Sequence, residues 1–218
     1  MADVAQLVER RFVVPVVAGS IPVVRPSGFL DMNIAALVLA GGKATRFGGA
    51  DKAFVPLHGR PLIEHVLERL RPQASPIAVS ANGEPERFEA YGLPVLPDAP
   101  EFAACGPLAG VSAGLRWAAG KGAEFMLTMP VDTPFFPPTL VADLSPGPSV
   151  AVYQGRQHHL ASLWPVAFGP GLEDFLRRDT KYKVRDALAL CGARQVHFTS
   201  LRDPFVNLNS PQDISDFG

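Results

Sequence analysis

Seven aliphatic residues in unbroken succession, Ile34 to Ala40 (IAALVLA), lead straight into a pair of glycines. An apolar run without polar alternation suits a strand covered on both faces, as in a parallel sheet packed between helices. The segment that continues it, LAGGKATRFGGADK from Leu39 to Lys52, carries four glycines together with Lys43, Arg46 and Lys52. Exposed backbone N–H groups with cations nearby form a cradle for phosphates, and glycine lets a ligand approach the backbone without meeting a Cβ. A glycine-rich turn into a helix is the plainer alternative, but it leaves the three cations unexplained. Neither the GxxxxGK[ST] frame nor GxGxxG fits the segment, so a phosphate site here is of another kind.

Downstream, strand and helix patterns alternate. PLIEHVLERLR, Pro61 to Arg71, spaces Leu62, Val66 and Leu70 at intervals of four behind a proline and predicts a helix. PIAVSAN predicts a second strand, Glu84 to Tyr91 a short helix, and LPVLPD, ending at Asp98, a third strand. GPLAGVSAGLRWAAG predicts a helix whose small residues allow close packing on a sheet, and Glu124 to Pro134 a fourth strand. This alternation implies right-handed crossovers and a mainly parallel sheet with helices on both faces, with ligands at the carboxyl ends of its strands. Beyond Pro148, SVAVYQ and LASLWPV read as paired strands around a loop GRQHH, Gly171 to Leu190 as one long helix, and RQVHF and PFVNL as strands that close the sheet. The second half is therefore expected to be more antiparallel, within a single domain spanning 32–218.

Residues 1–31 read differently. Glu9, Arg10 and Arg11 interrupt their apolar middle and Pro15, Pro22 and Pro26 divide the rest, so no run approaches the roughly twenty residues of a membrane span. The segment is expected to be a disordered extension, or a start-site artefact with translation beginning at Met32, because Ala5-Gln6-Leu7 and Gly19 to Pro22 back-translate to stretches that resemble the arms of a transfer RNA gene. Charge is nearly balanced, with 20 Lys and Arg against 21 Asp and Glu, which argues against a nucleic-acid partner. Cys105 and Cys191 stand far apart without metal-ligand spacing, which suits a reducing cytosol better than a disulfide scaffold or a zinc site.

Asp132, in MPVDTP, ends the fourth predicted strand and faces the edge that carries the glycine segment. It has two readings: a cap for a helix beginning in PFFPPTL, or a Mg²⁺ ligand beside a triphosphate, since magnesium takes one or two protein carboxylates and fills its shell with phosphate and water oxygens. His158 and His159 point to opposite faces if they lie in a strand, and a polar loop is the preferred placement. Asn207 and Asn209 in FVNLNSPQD share one face if extended and could orient a ligand, although Asn before Ser-Pro is also turn chemistry. No GxSxG elbow or HExxH helix is present.

Taken together and in order, LAGGKATRFGGADK, PLIEHVLERL, SANGEP, LPD, GPLAG, VDTP and FVNLNSP resemble the molybdenum cofactor guanylyltransferases. The resemblance runs from about Ile34 to the C-terminus. It implies a three-layer Rossmann-like nucleotidyltransferase fold, and GMP transfer from GTP to the terminal phosphate of molybdopterin with Mg²⁺ as cofactor. It further implies transient contact with proteins that deliver molybdopterin or mature molybdoenzymes, and no membrane partner. Leu39, Ala40, Gly41 and Gly42 then line the nucleotide with Asn82, Lys52 contacts phosphate, Asp98 contacts guanosine, Asp132 holds Mg²⁺ and nucleotide, and Arg46 takes the leaving pyrophosphate. Phe47 stands where the family usually has Met, and Ser80 replaces a nucleotide-contacting Asn. CMP transfer to molybdopterin, sugar-1-phosphate nucleotidyl transfer and nucleotide binding without turnover are the alternatives; Gly41-Gly42 in place of Ala-Gly favours GTP over CTP, and the VNLNSP ending disfavours a sugar phosphate.

Overall fold

The structure is a computed structural model and describes residues 33–41, 51–178 and 181–217. The expectations for residues 1–31 and Met32, and those for Gly42, Lys43, Arg46 and Phe47, lie outside the described residues.

Strand β1 (Ile34–Leu39) serves two cores at once. Ile34, Ala36 and Val38 enter one, while Ala35, Leu37 and Leu39 enter the other, which is why every position is aliphatic. There follow a small ribbon of β2 (Pro56–Leu57) and β3 (Arg60–Pro61), helix α1 (Leu62–Leu70), β4 (Ile77–Ser80), a 3-10 helix Pro85–Tyr91, β5 (Val95–Leu96), α2 (Pro107–Gly120), β6 (Phe125–Pro130) and α3 (Leu140–Leu144). The second half holds β7 (Ser149–Tyr153), β8 (Arg156–Pro165), α4 (Gly169–Arg178), α5 (Val184–Leu190), β9 (Arg194–Phe198) and α6 (Pro211–Phe217). Seven strands form one sheet in the order β5-β4-β1-β6-β8-β7-β9. Its pairings are parallel except where β8 meets β6 and β7. The core on one face draws on α1 and α3, and that on the other on α2, α4 and α5, giving three layers. From β1 the chain moves out to β4 and β5, then returns past β1 to β6, so the carboxyl end of β1 is a topological switch point.

Helix α2 lies unusually close to the sheet. A Cβ on Gly110 would come within 2.2 Å of Ser80 Oγ, and one on Gly114 within 2.5 Å of Leu37 Cδ2. The small residues of GPLAGVSAG are thus a packing requirement.

Four expectations need correction. His158 and His159 lie inside β8, not in a loop; the hairpin turns on Gln154 and Gly155 alone, both left-handed at φ 46° and 79°, a two-residue turn that matches strand twist. The long helix over 171–190 is two helices, because Tyr182, at φ 46°, cannot continue a right-handed turn. PFVNL is not a strand: Leu208 N–H is spent on Asp132 O at 2.9 Å, and β9 forms the sheet edge beside β7. No helix starts directly after Asp132, since Pro134, Pro137 and Pro138 interrupt the segment and α3 begins only at Leu140 behind Thr139.

Candidate active site

Backbone bonds between strand ends assemble the site. Ala40 N–H donates to Ser80 O at 2.9 Å, Val131 N–H to Leu39 O at 3.1 Å and Ala81 N–H to Leu96 O at 3.2 Å, so β1, β4, β5 and β6 finish side by side. Around these ends opens a cleft of about 340 Å³ lined by Leu39, Ala40, Gly41, Lys52, Asn82, Asp98 and Asp132. A second cavity, of about 390 Å³, lies around Arg71, Trp117 and Lys121 and includes none of these residues.

Lys52 begins a short 3-10 turn, Lys52–Phe54, capped by Asp51, whose Oδ1 accepts from Ala53 N–H at 3.1 Å. Phe54 anchors that turn against Phe88 and Tyr91, with ring centroids 5.2 and 6.5 Å away. The ammonium of Lys52 donates to Asp132 Oδ2 at 2.5 Å and to Asn209 Oδ1 at 2.6 Å. Asp132 Oδ1 accepts from Asn207 Nδ2 at 2.8 Å and from Thr133 Oγ1 at 3.2 Å. Asp132 therefore caps no helix; its carboxylate is the centre of a polar cluster.

The two asparagines come from the distant FVNLNSPQD segment. Leu208 between them is fully buried with Val55, Leu57 and Leu62, and Phe135, Ile214 and Phe217 pack against that small core. With Leu208 pinned, Asn207 and Asn209 both reach the Lys52–Asp132 pair, as the shared face of an extended i, i+2 pair allows. Helix α6 secures the segment from behind. Ser210 Oγ accepts from Asp213 N–H at 3.2 Å while Asp213 Oδ2 accepts from the N–H groups of Ser210 at 2.8 Å and Asn209 at 2.7 Å, a reciprocal cap with Pro211 at the first helical position. The Asn209 N–H, with Ser210, holds the Asp213 carboxyl below the usual range.

On the opposite flank, Asn82 braces Asp98. Its Nδ2 donates to Asp98 Oδ2 at 2.8 Å and its Oδ1 accepts from Asp98 N–H at 3.0 Å. Ser80 is buried beneath them, its Oγ over Gly110, where a longer amide would collide with α2.

All the described candidates of the sequence thus line one cleft. Asn207, Asn209 and Thr133 join them; the NLN spacing was the visible signal for the first two, but only the buried Leu208 decides that both amides point inward. His158 and His159 stay outside the cluster: the His158 ring lies tilted against Phe205 with centroids 4.9 Å apart, and Asp203 lies 3.7 Å from its Nε2. Among the described residues, no group of three or more His, Cys, Asp or Glu could by itself hold a metal, and no helix is long and apolar enough to cross a membrane.

Residues 36–196 match the family model of the MobA-like NTP transferase domain. Molybdenum cofactor guanylyltransferases of Acidiphilium cryptum (strain JF-5) and Rhodobacter capsulatus are each 47% identical to the chain, covering 87% and 84% of it and 94% of each relative. Among solved structures, the molybdopterin-guanine dinucleotide biosynthesis protein A of Archaeoglobus fulgidus superposes with a TM-score of 0.63 at 20% identity, covering 84% of this chain and 96% of that one. A protein of Aquifex aeolicus VF5 shares the fold at a TM-score of 0.66 and 20% identity, over 84% of this chain and 96% of that one. The chain belongs to the MobA-like NTP transferase family.

Proposed function

We propose that the protein transfers GMP from GTP to the terminal phosphate of molybdenum-loaded molybdopterin, releasing pyrophosphate and forming the molybdopterin guanine dinucleotide. The observation that carries this reading is the cleft at the carboxyl edge of the sheet, lined on one flank by a lysine–aspartate pair and on the other by an asparagine-braced aspartate. The first pair suits a triphosphate. The second suits a base that donates twice.

The acceptor phosphate is already anionic at neutral pH, so its attack on the α-phosphorus requires no side chain to remove a proton. Cysteine chemistry has no support, since burial pushes the thiols of both Cys105 and Cys191 up. What the site must supply is in-line orientation and positive charge. Lys52, held between Asp132 and Asn209, offers its ammonium to the phosphates. Leu39, Ala40 and Gly41 present strand-end backbone against which the nucleotide lies, and Asp98 accepts from the ring N–H and amino group of guanine. Gly42 and Arg46 keep the roles the resemblance implies, nucleotide contact and the leaving pyrophosphate. Asp132 would hold Mg²⁺. One carboxylate beside a phosphate-binding lysine fits an ion that completes its shell with phosphate and water oxygens, and such an ion supplies charge neutralisation on the transferred and leaving groups. The cytosol, and transient contact with the proteins that deliver molybdopterin or receive the product, belong to the same proposal.

The test is an assay of the four ribonucleoside triphosphates, each with molybdenum-loaded molybdopterin and Mg²⁺, following pyrophosphate release and dinucleotide formation. GTP should be the preferred substrate. Equal or faster turnover with CTP, or none with any nucleotide, would overturn the reading.

A further inference from the structure

Asp51 and Lys52, adjacent at the exit of the glycine-rich segment, face different ways. Lys52 turns to Asp132, whereas Asp51 turns to Arg87, whose Nη1 lies 2.5 Å from Asp51 Oδ2. The other terminal nitrogen, Arg87 Nη2, donates to the backbone O of Asn82 at 2.6 Å. Asn82 is the residue that closes two hydrogen bonds on Asp98. One guanidinium therefore joins the turn that aims the phosphate-side lysine to the loop that aims the base-side aspartate.

The surroundings of Arg87 hold it in that position. It sits on the 3-10 helix Pro85–Tyr91, next to Phe88, which is fully buried in the core that also receives Phe54 of the Lys52 turn. Its guanidinium carbon lies 5.1 Å from the Phe88 ring centroid. An isolated surface ion pair contributes little and moves freely. Arg87 differs in having two partners from two separate segments, an ion pair to Asp51 and a charge-assisted hydrogen bond to Asn82 O, and a ring beneath it. Lysine could supply the charge but not two nitrogens to place on the two partners at once.

We propose that Arg87 is a positioning residue that sets the spacing between Lys52 and Asp98, so that the cleft favours the nucleotide whose base and triphosphate engage both ends together. The inference rests on the GTP reading above and adds a residue that touches neither substrate. The experiment compares the full chain with Arg87→Met and Arg87→Lys. Binding of GTP and of ATP is measured by titration calorimetry in the presence of Mg²⁺, alongside KM, kcat and Tm. Arg87→Met should weaken GTP binding about tenfold, the scale of one charge-assisted hydrogen bond, and ATP binding by less. The GTP:ATP preference then falls, and the loss appears in KM more than in kcat. Arg87→Lys should recover part of the preference, and it serves as the test if the methionine variant does not fold. An unchanged GTP:ATP ratio in the folded variant, with or without a lower Tm, would overturn the proposal and leave Arg87 a brace of the fold. A parent protein without preference for GTP would instead overturn the GTP reading, and this inference with it.

Discussion

At the scale of single residues, the proposed function divides the site between charge and recognition. Asp132 binds through three donors, and the amide of Asn could keep the contacts of Oδ1 while losing the charge that Lys52 and a magnesium ion require. Asp132→Asn should therefore fold with a Tm near that of the parent and lose about 100-fold or more in kcat, the range for removing one charge-stabilising group. Near-normal turnover at saturating Mg²⁺ would refute that role. Asp98 has a different role in the proposed function. Guanine alone among the common bases presents a ring N–H and an exocyclic amino group side by side, and Asn82 leaves the Asp98 carboxylate oriented to accept from both. Losing such a charged acceptor costs roughly 1.5–3 kcal/mol in discrimination, so Asp98→Ala should erode the preference for GTP over ATP and CTP in competition assays. If the preference persists, base selection lies with other residues.

At the scale of elements, α2 against the sheet is the tightest junction. The Cβ of an alanine at position 114 would lie 2.5 Å from Leu37 Cδ2 and 2.9 Å from Met126 Sδ, both side chains of the fully packed core. Gly114→Ala gains helix propensity but must push the helix off β1 and β6, a net loss of about 1–3 kcal/mol for overpacking. Thermal unfolding should show this as a lower Tm, and an unchanged or higher Tm would mean that the sheet yields easily. The capping of α6 is an element with consequences for the site. Asp213→Ala removes the acceptor shared by Ser210 and Asn209 and should loosen the start of α6. Because Asn209 also holds Lys52, the same change should raise the KM for GTP; a KM equal to the parent's would show that Leu208 alone holds the segment.

At the scale of the whole molecule, β8 connects the two cores and carries a histidine to each. His158 lies with Phe205 and Asp203, while His159 faces Arg185 and Asp186 of α5. Burial, above the other influences, pushes both imidazoles below their ordinary value. With their folded values lowered, they contribute stability that is fully present above the ordinary histidine value and is lost progressively as pH falls from that value through their lowered folded values. Tm should therefore drop as pH falls below the ordinary histidine value. His158→Phe, which preserves a ring against Phe205 at the present 4.9 Å, should flatten the slope; the same slope in parent and variant would mean that other groups govern the acid limb.

The sequence alone determined the strands and helices whose signals are local: the aliphatic run of β1, the four-residue spacing of α1, and the small residues of α2. It also carried the grouping of Asp98 and Asp132, just past the ends of β5 and β6, because a parallel sheet brings its carboxyl edges together. It failed where one conformation was decided by distant contacts. Whether 171–190 was one helix or two turned on the backbone of a single residue, Tyr182. Whether RQHH was loop or strand depended on partners in β7, available only once the chain folds back. Whether Asn207 and Asn209 reached the Lys52–Asp132 pair depended on the burial of Leu208 and its bond to Asp132 O across 76 positions of chain. Periodicity reports which face of an element is buried; only tertiary structure supplies the partner that the face meets.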